Sequence, residues 1–195
     1  MATSIFDKTR KQFFAKDIAP RTDEAREWFL QNLRNINVSP NRILKDTTLI
    51  PKAKVMPGRM FQFVYDPKGK DTLPYYDKFP LILVVGPAPG GFYGLNLHYL
   101  QPLLRVRLFD KLIEYANNDK YDESTKIKIS YQILNSVRSL KAFKPCFKHY
   151  LTQHVESRLI MIPAENWEIA VFLPTEKFSK ANTRKVWSDS KRSIQ

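Results

Sequence analysis

Cysteine is nearly absent from this 195-residue chain: Cys146 stands alone. One thiol cannot close an intramolecular disulfide, so no covalent framework is expected, and the composition fits a reducing compartment. Histidine is almost as scarce, with only His98, His149 and His154. Long apolar runs are missing too. The longest strongly apolar stretch, Leu81 to Val85, falls far short of the about 20 residues that span a bilayer. The amino terminus, Met1 to Asp7, lacks the apolar segment of a signal peptide. No membrane partner is expected, and the chain reads as soluble and intracellular. Acidic charge is the remaining deficit. Nineteen Asp and Glu face 32 Lys and Arg, giving a formal charge of +13 and a pI near 9.8.

What is present points to a folded, cationic protein. Thirteen Phe, nine Tyr and three Trp within a 43% hydrophobic composition can build one substantial core, and exclude disorder of the whole chain. The positive field attracts phosphates, with binding that weakens steeply as salt rises. Nucleic acid is the expected partner, an acidic protein surface the alternative. The charge is uneven. Residues 1–54 carry eleven basic and six acidic groups, residues 55–137 ten and eight, residues 138–195 eleven and five. The two ends therefore hold most of the excess.

Local patterns predict an α+β fold without internal repeats. Thr22 as N-cap, Asp23 and Glu24 in the first turn, and Ala25, Trp28, Phe29 and Leu33 at helical spacing predict a helix after Pro20. Residues 35–56 read as an extended arm, with an ordinary surface loop as the equal alternative, so residues 1–54 are expected to be a helix and arm ahead of a single domain over 55–195. Residues 59–65 alternate as a strand, with Met60 and Gln62 on one face and Phe61, Phe63 and Tyr65 on the other. Leu81 to Val85 is a buried strand, Gly86 to Gly91 a corner, and Phe92 to Leu100 the returning strand. Such a set suggests a small, strongly curved antiparallel sheet, with an SH3-like barrel as one form it could take. Helices are predicted from Pro102 (Leu104, Leu108, Leu112, Tyr115), from Ser124 (Ile127, Tyr131, Leu134, Val137) and from Pro145 (Phe147, Tyr150, Leu151, Val155). Arg158 to Ile162 reads as a strand, residues 163–172 are ambiguous, and Thr175 can cap a final basic helix ending near Arg192.

No constellation of a known chemistry emerges. Cys146, His149 and His154 would share a broad arc of the helix from Pro145, but a zinc site usually needs four placed ligands. Gly90, Gly91 and Gly94 precede a strand rather than a helix and so make no dinucleotide fingerprint. Gly69-Lys70 lacks the rest of a P-loop. Asp66, Asp71 and Asp77 could serve a metal-dependent nuclease, yet turn formation explains Asp66 as well. No catalytic residue, cofactor, metal or small-molecule substrate is assigned. The candidate site is cationic instead: Lys141, Lys144, Lys148 and Arg158, with Phe143, Phe147 and Tyr150 interleaved, and Lys177, Lys180, Arg184, Lys185, Lys191 and Arg192 on the final helix. Lys177, Lys180 and Arg184 would share a helical face and could follow a row of phosphates. An ordinary solvated helix face remains the plain alternative. Without a base-reading motif, contacts independent of sequence are expected.

Several strings carry a resemblance. They are Pro57-Gly58-Arg59-Met60-Phe61, Tyr65-Asp66-Pro67-Lys68, the run Leu73 to Leu81, the run Gly91 to Leu100, Phe143-Lys144-Pro145, His149-Tyr150-Leu151-Thr152 and the run Phe172 to Phe178. Together, over roughly residues 55–192, they resemble the DNA end protector proteins, virion proteins of large contractile-tailed bacteriophages. The resemblance implies a non-enzymatic virion protein, present in the host cytoplasm during assembly. It would sit with the packaged DNA terminus or the portal vertex, complete the head and shield the injected end from exonuclease. Its partners would be double-stranded DNA and other virion proteins at the portal, neck or tail. A head–tail connector that docks acidic neighbours is the competing reading.

Overall fold

The computed structural model describes residues 4–51, 53–116, 120, 122–139 and 141–194. Its centre is a six-stranded antiparallel sheet of order β1-β7-β2-β4-β5-β6, made of β1 (Ile50–Pro51), β2 (Met60–Gln62), β4 (Leu81–Ala88), β5 (Gly91–Asn96), β6 (Phe147–Leu151) and β7 (Ile160–Ile162). A second, two-stranded sheet joins β3 (Tyr76–Asp77) to β8 (Phe178–Ser179). The register of β4 on β5 shifts between Val84 and Gly86, a bulge that bends the hairpin.

Alternation divides the sheet between two cores. Met60, Leu81, Leu83, Val85 and Leu95 face the main core, while Phe61, Phe63, Tyr65, Ile82, Val84, Phe92 and Tyr150 form a smaller aromatic cluster on the opposite face. The two faces predicted for Met60 and for Phe61, Phe63 and Tyr65 are the faces observed. An isolated bridge from Tyr65 to Val155 joins the segment after β2 to the segment after β6. The sheet nevertheless stays open, so the SH3-like barrel is not formed: the strand order runs from β1 to β6 without a ladder between them.

Helices cover the main core: α1 (Ile5–Phe14), α2 (Asp23–Leu33), α3 (Pro40–Leu44), α4 (Pro102–Ala116), α5 (Glu123–Ser139), α6 (Trp167–Phe172) and α7 (Thr183–Ile194). Thr22 caps α2 as expected, its Oγ1 accepting from the Ala25 amide at 3.1 Å. Phe29 of α2 stacks on Phe13 of α1 at 4.8 Å and on Phe172 of α6 at 5.6 Å, each buried ring contributing roughly 1.5–3 kcal/mol. Residues 35–56 do not project as an arm. Val38, Ile43 and Leu49 are buried in the main core and β1 pairs with β7, because apolar side chains between the polar ones leave this segment more to bury than to solvate. On α4 the inward residues are Arg105, Val106, Leu108 and Phe109, and Leu104 is exposed; Leu112, Tyr115 and Val137 lie outside the described residues as far as their side chains are concerned. The ambiguous stretch 163–172 is helical, a short 3-10 turn leading into α6. Among the described residues no helix is long and apolar enough to cross a membrane.

Candidate nucleic-acid interface

The segment from Pro145 is not a helix. A 3-10 turn covers Lys141–Cys146, and Phe147–Leu151 is β6, paired with β5 in the register Tyr93↔His149 and Gly94↔Lys148. Lys144 and Lys148 therefore share no helical face. The thiol and imidazoles part as well. Cys146 Sγ contacts the Phe143 carbonyl, His149 Nε2 the Pro89 carbonyl and His154 Nδ1 the Asp66 carbonyl. Burial pushes the Cys146 thiol up to about 12, which keeps it protonated and unreactive.

The basic C-terminal helix exists but begins at Thr183, later than predicted. The Thr175 hydroxyl is held elsewhere, and Lys180 takes a left-handed backbone conformation (φ 66°) that stops any earlier helix. Asn182 Oδ1 accepts from the Lys185 amide at 2.9 Å in its place. Val186 and Ser190 are buried and the Trp187 indole N–H donates to the His98 carbonyl at 2.9 Å, leaving Arg184, Lys185, Lys191 and Arg192 on the outer face. Because α7 packs against the turn 141–146, exposed Lys141 and Lys144 stand beside that helix. Two clusters distant in sequence thus meet.

Not every predicted cation is available. Lys180 Nζ donates to the carbonyls of Lys70, Asp71 and Leu73 at 2.6, 2.9 and 3.2 Å, fastening the 69–73 turn. Lys177 precedes α7 and is half-buried beside β3, its amide donating to Asp77 Oδ1 at 3.3 Å. Arg158 donates to the Leu44 carbonyl at 2.8 Å, next to α3, while Lys148 sits on β6 at the other end of the strand order. Lys185 and Arg192 both pair with Asp189, surface contacts worth little and screened by salt. Lys141, Lys144, Arg184 and Lys191 make no ion pair among the described residues.

A second cationic surface was not singled out from the sequence. Lys8 and Lys11 of α1 and Arg42 and Lys45 beside α3 are all exposed and line one shallow groove. The excess charge of residues 1–54 was the visible signal. Which residues converge depends on α3 folding back on α1.

Between the two sheets and α7 lies a cleft of about 430 Å³. The 67–77 loop supplies Tyr75, β6 supplies Lys148 and Tyr150, α7 supplies Ser190, and Tyr99 lies at its base. Half-buried Lys148 places Nζ 4.1 Å from the centre of the Tyr99 ring and has no ion pair among the described residues. Desolvation lowers its pKa from the ordinary lysine value. Ser190 Oγ is buried without a hydrogen-bond partner among the described residues.

Beneath the cleft runs a buried polar chain. Gln62 Nε2 donates to Thr175 Oγ1 at 2.8 Å, Thr175 Oγ1 lies 3.1 Å from His98 Nε2, and His98 Nδ1 lies 2.6 Å from Asp77 Oδ2. Both ring nitrogens of His98 are thus engaged, one with the Thr175 hydroxyl and one with the Asp77 carboxylate. A hydroxyl–imidazole–carboxylate order has the look of a nucleophilic triad. Thr175 is 1% and His98 0% exposed, however, so substrate cannot reach either. The chain is a brace: it ties β2, β3, the turn at 97–99 and the segment leading to β8.

Comparison with known families places this arrangement in context. No curated protein and no solved structure matches the chain. A family model described as Phage T4 terminal DNA protecting protein matches residues 2–191.

Proposed function

The chain belongs to the Phage T4 terminal DNA protecting protein family, and from that premise we propose that it binds the end of packaged DNA electrostatically, without reading sequence, and covers that terminus at the portal vertex as the head is completed. The observation that supports the reading is the packing of α7 on the turn 141–146, two elements that each carry exposed cations, Lys141 and Lys144 on the turn and Arg184, Lys185, Lys191 and Arg192 on the helix. Exposed Lys and Arg side chains can meet phosphates, contacts that position a duplex without specifying its sequence. The groove of Lys8, Lys11, Arg42 and Lys45 gives a second place for backbone contact.

A linear duplex and a covalently closed circle of the same sequence, titrated between about 50 and 200 mM salt, test this. Binding to the linear form should be tighter, with log K falling linearly against log salt. Replacing Lys141, Lys144, Arg184 and Lys191 with Gln should flatten that slope by about 3 to 4, at about 0.9 per phosphate contact. Failure to bind duplex at the lowest salt would sink the proposal. A second reading, a neck protein docked on acidic neighbours, is favoured by the exposed side chains of Phe14, Leu103 and Leu104, at 62%, 54% and 37%. It predicts capture by acidic virion proteins with no preference for DNA.

A further inference from the structure

Cationic faces attract any stretch of phosphodiester, since counterion release is the same at the middle of a duplex as at its end. They give affinity, but no preference for a terminus. We propose that the cleft between the 67–77 loop, β6 and α7 receives the unpaired terminal nucleotide of a DNA end, its base against Tyr75 and its phosphate on Lys148. The inference rests on the DNA-end reading above and supplies what that reading lacks, a device that tells an end from the interior.

Size, aromatic lining and charge agree on this occupant. A cleft of about 430 Å³ lies within the usual range for small-ligand sites, about 300–1,000 Å³. It accommodates one nucleotide and not a base pair. Half-buried Tyr75 presents its ring to the space, while Tyr99 and Tyr150 line it at 6% and 3% exposure, their rings against Lys148 and Phe92; stacking on tyrosine accepts every base. Charge complementarity falls on Lys148. Two carboxylates also border the cleft, Asp77 and Asp189, but both are occupied. Asp77 Oδ1 accepts from the Phe79 and Lys177 amides and Oδ2 faces Asn96 and His98. Asp189 holds Lys185 and Arg192. Lys148 lies over the face of Tyr99 and makes no ion pair among the described residues, so an entering phosphate meets a cation without a carboxylate partner there. Ser190 adds a buried hydroxyl in the cleft wall that lacks a partner.

Extrusion of an interior nucleotide breaks stacking on two sides, whereas a terminal or single-stranded nucleotide is the cheapest to withdraw. The cleft therefore selects ends without selecting sequence. The nucleotide can come from an overhang or from a frayed blunt end.

Photocrosslinking of the full chain to duplexes carrying 5-iododeoxyuridine, either at the terminus or inside the duplex, tests the placement. Affinities are measured in parallel for one-nucleotide 5′ and 3′ overhangs, a blunt end and a closed circle. The terminal probe should crosslink to Tyr75, and the interior probe should not. Lys148→Met keeps the aliphatic stem and removes a half-buried charge, so the fold is retained. It should weaken binding to the preferred end by about tenfold while changing closed-circle affinity by less than about threefold, one phosphate contact among many. Ser193→Trp, at an exposed position on the cleft rim, should block the same end binding independently. Terminal crosslinks confined to α7's outer face or to the α1–α3 groove would overturn the cleft assignment while leaving DNA-end binding intact. So would an equal loss for circle and end in both variants. If the unaltered chain binds no DNA at low salt, the functional reading fails and this inference with it.

Discussion

Asp77 is a buried carboxylate that serves four partners. It is 4% exposed, and its two oxygens serve the Phe79 amide, the Lys177 amide, Asn96 and His98. Each buried donor left without an acceptor costs about 1–3 kcal/mol. Asp77→Ala should therefore destabilise the protein by at least about 3 kcal/mol in urea unfolding; unchanged stability would show that the brace under the cleft is idle. A second buried pair makes stability depend on pH. Arg105 is 0% exposed and bonds the carbonyls of Leu100 and Val171 and the carboxylate of Glu176. Burial alone would raise the Glu176 pKa, but the charges of Arg105 and then His98, with the Arg105 hydrogen bond, lower it below its ordinary 4.5. A carboxyl depressed in the folded state stabilises fully above its unfolded pKa and loses that contribution as pH falls through the folded value. Thermal stability should drop from about pH 4.5 downward, and Glu176→Gln should flatten that drop while lowering stability at neutral pH. An identical acid profile in the variant would contradict this. Neither brace was legible in the sequence. Asp77 read as one of three scattered acids and Arg105 as an ordinary helix residue, because most of their partners are distant in sequence: Asn96, His98 and Lys177 for Asp77, Val171 and Glu176 for Arg105.

At the scale of elements, local chemistry was readable where it decided the outcome locally. Thr22 capped its helix, Pro102 opened α4, and the alternation of residues 60–65 sorted the two sheet faces correctly. The misreadings share one cause. Phe147, Tyr150, Leu151 and Val155 meet helical spacing, but a segment this short is ambiguous, and pairing with β5 overrides the pattern. Gly91 makes that pairing possible. A Cβ there would lie 1.8 Å from the Tyr150 carbonyl oxygen, a contact with backbone that no rotamer relieves. Gly91→Ala should cost about 1–3 kcal/mol or more and shift the Lys148 backbone amide in NMR spectra. A variant of native stability and unshifted β6 resonances would show that the close approach is not required. The clusters at 141–148 and 184–192 were legible as composition. Their meeting was not, since it depends on α7 packing against the turn before β6.

For the molecule as a whole, the net charge is +13, and exposed cations lie both along the groove of α1 and α3 and on α7 and the turn beside it. Part of that charge is committed to internal bonds by Lys180 and Arg158, so net charge overstates what a polyanion meets. The family to which the chain belongs is described by protection of a DNA terminus. A protein that only coats phosphodiester would leave that terminus exposed whenever it slid inward. Covering the end requires that the terminal nucleotide be held. The most direct measurement is the rate at which a processive exonuclease releases a terminal label from linear duplex saturated with the protein, beside endonuclease cutting at an internal site on the same DNA. End release should slow by more than about tenfold while internal cutting slows by less than about threefold, in line with a bound end and a mobile interior. Equal slowing at both positions, or unimpeded end release from fully bound DNA, would contradict the account.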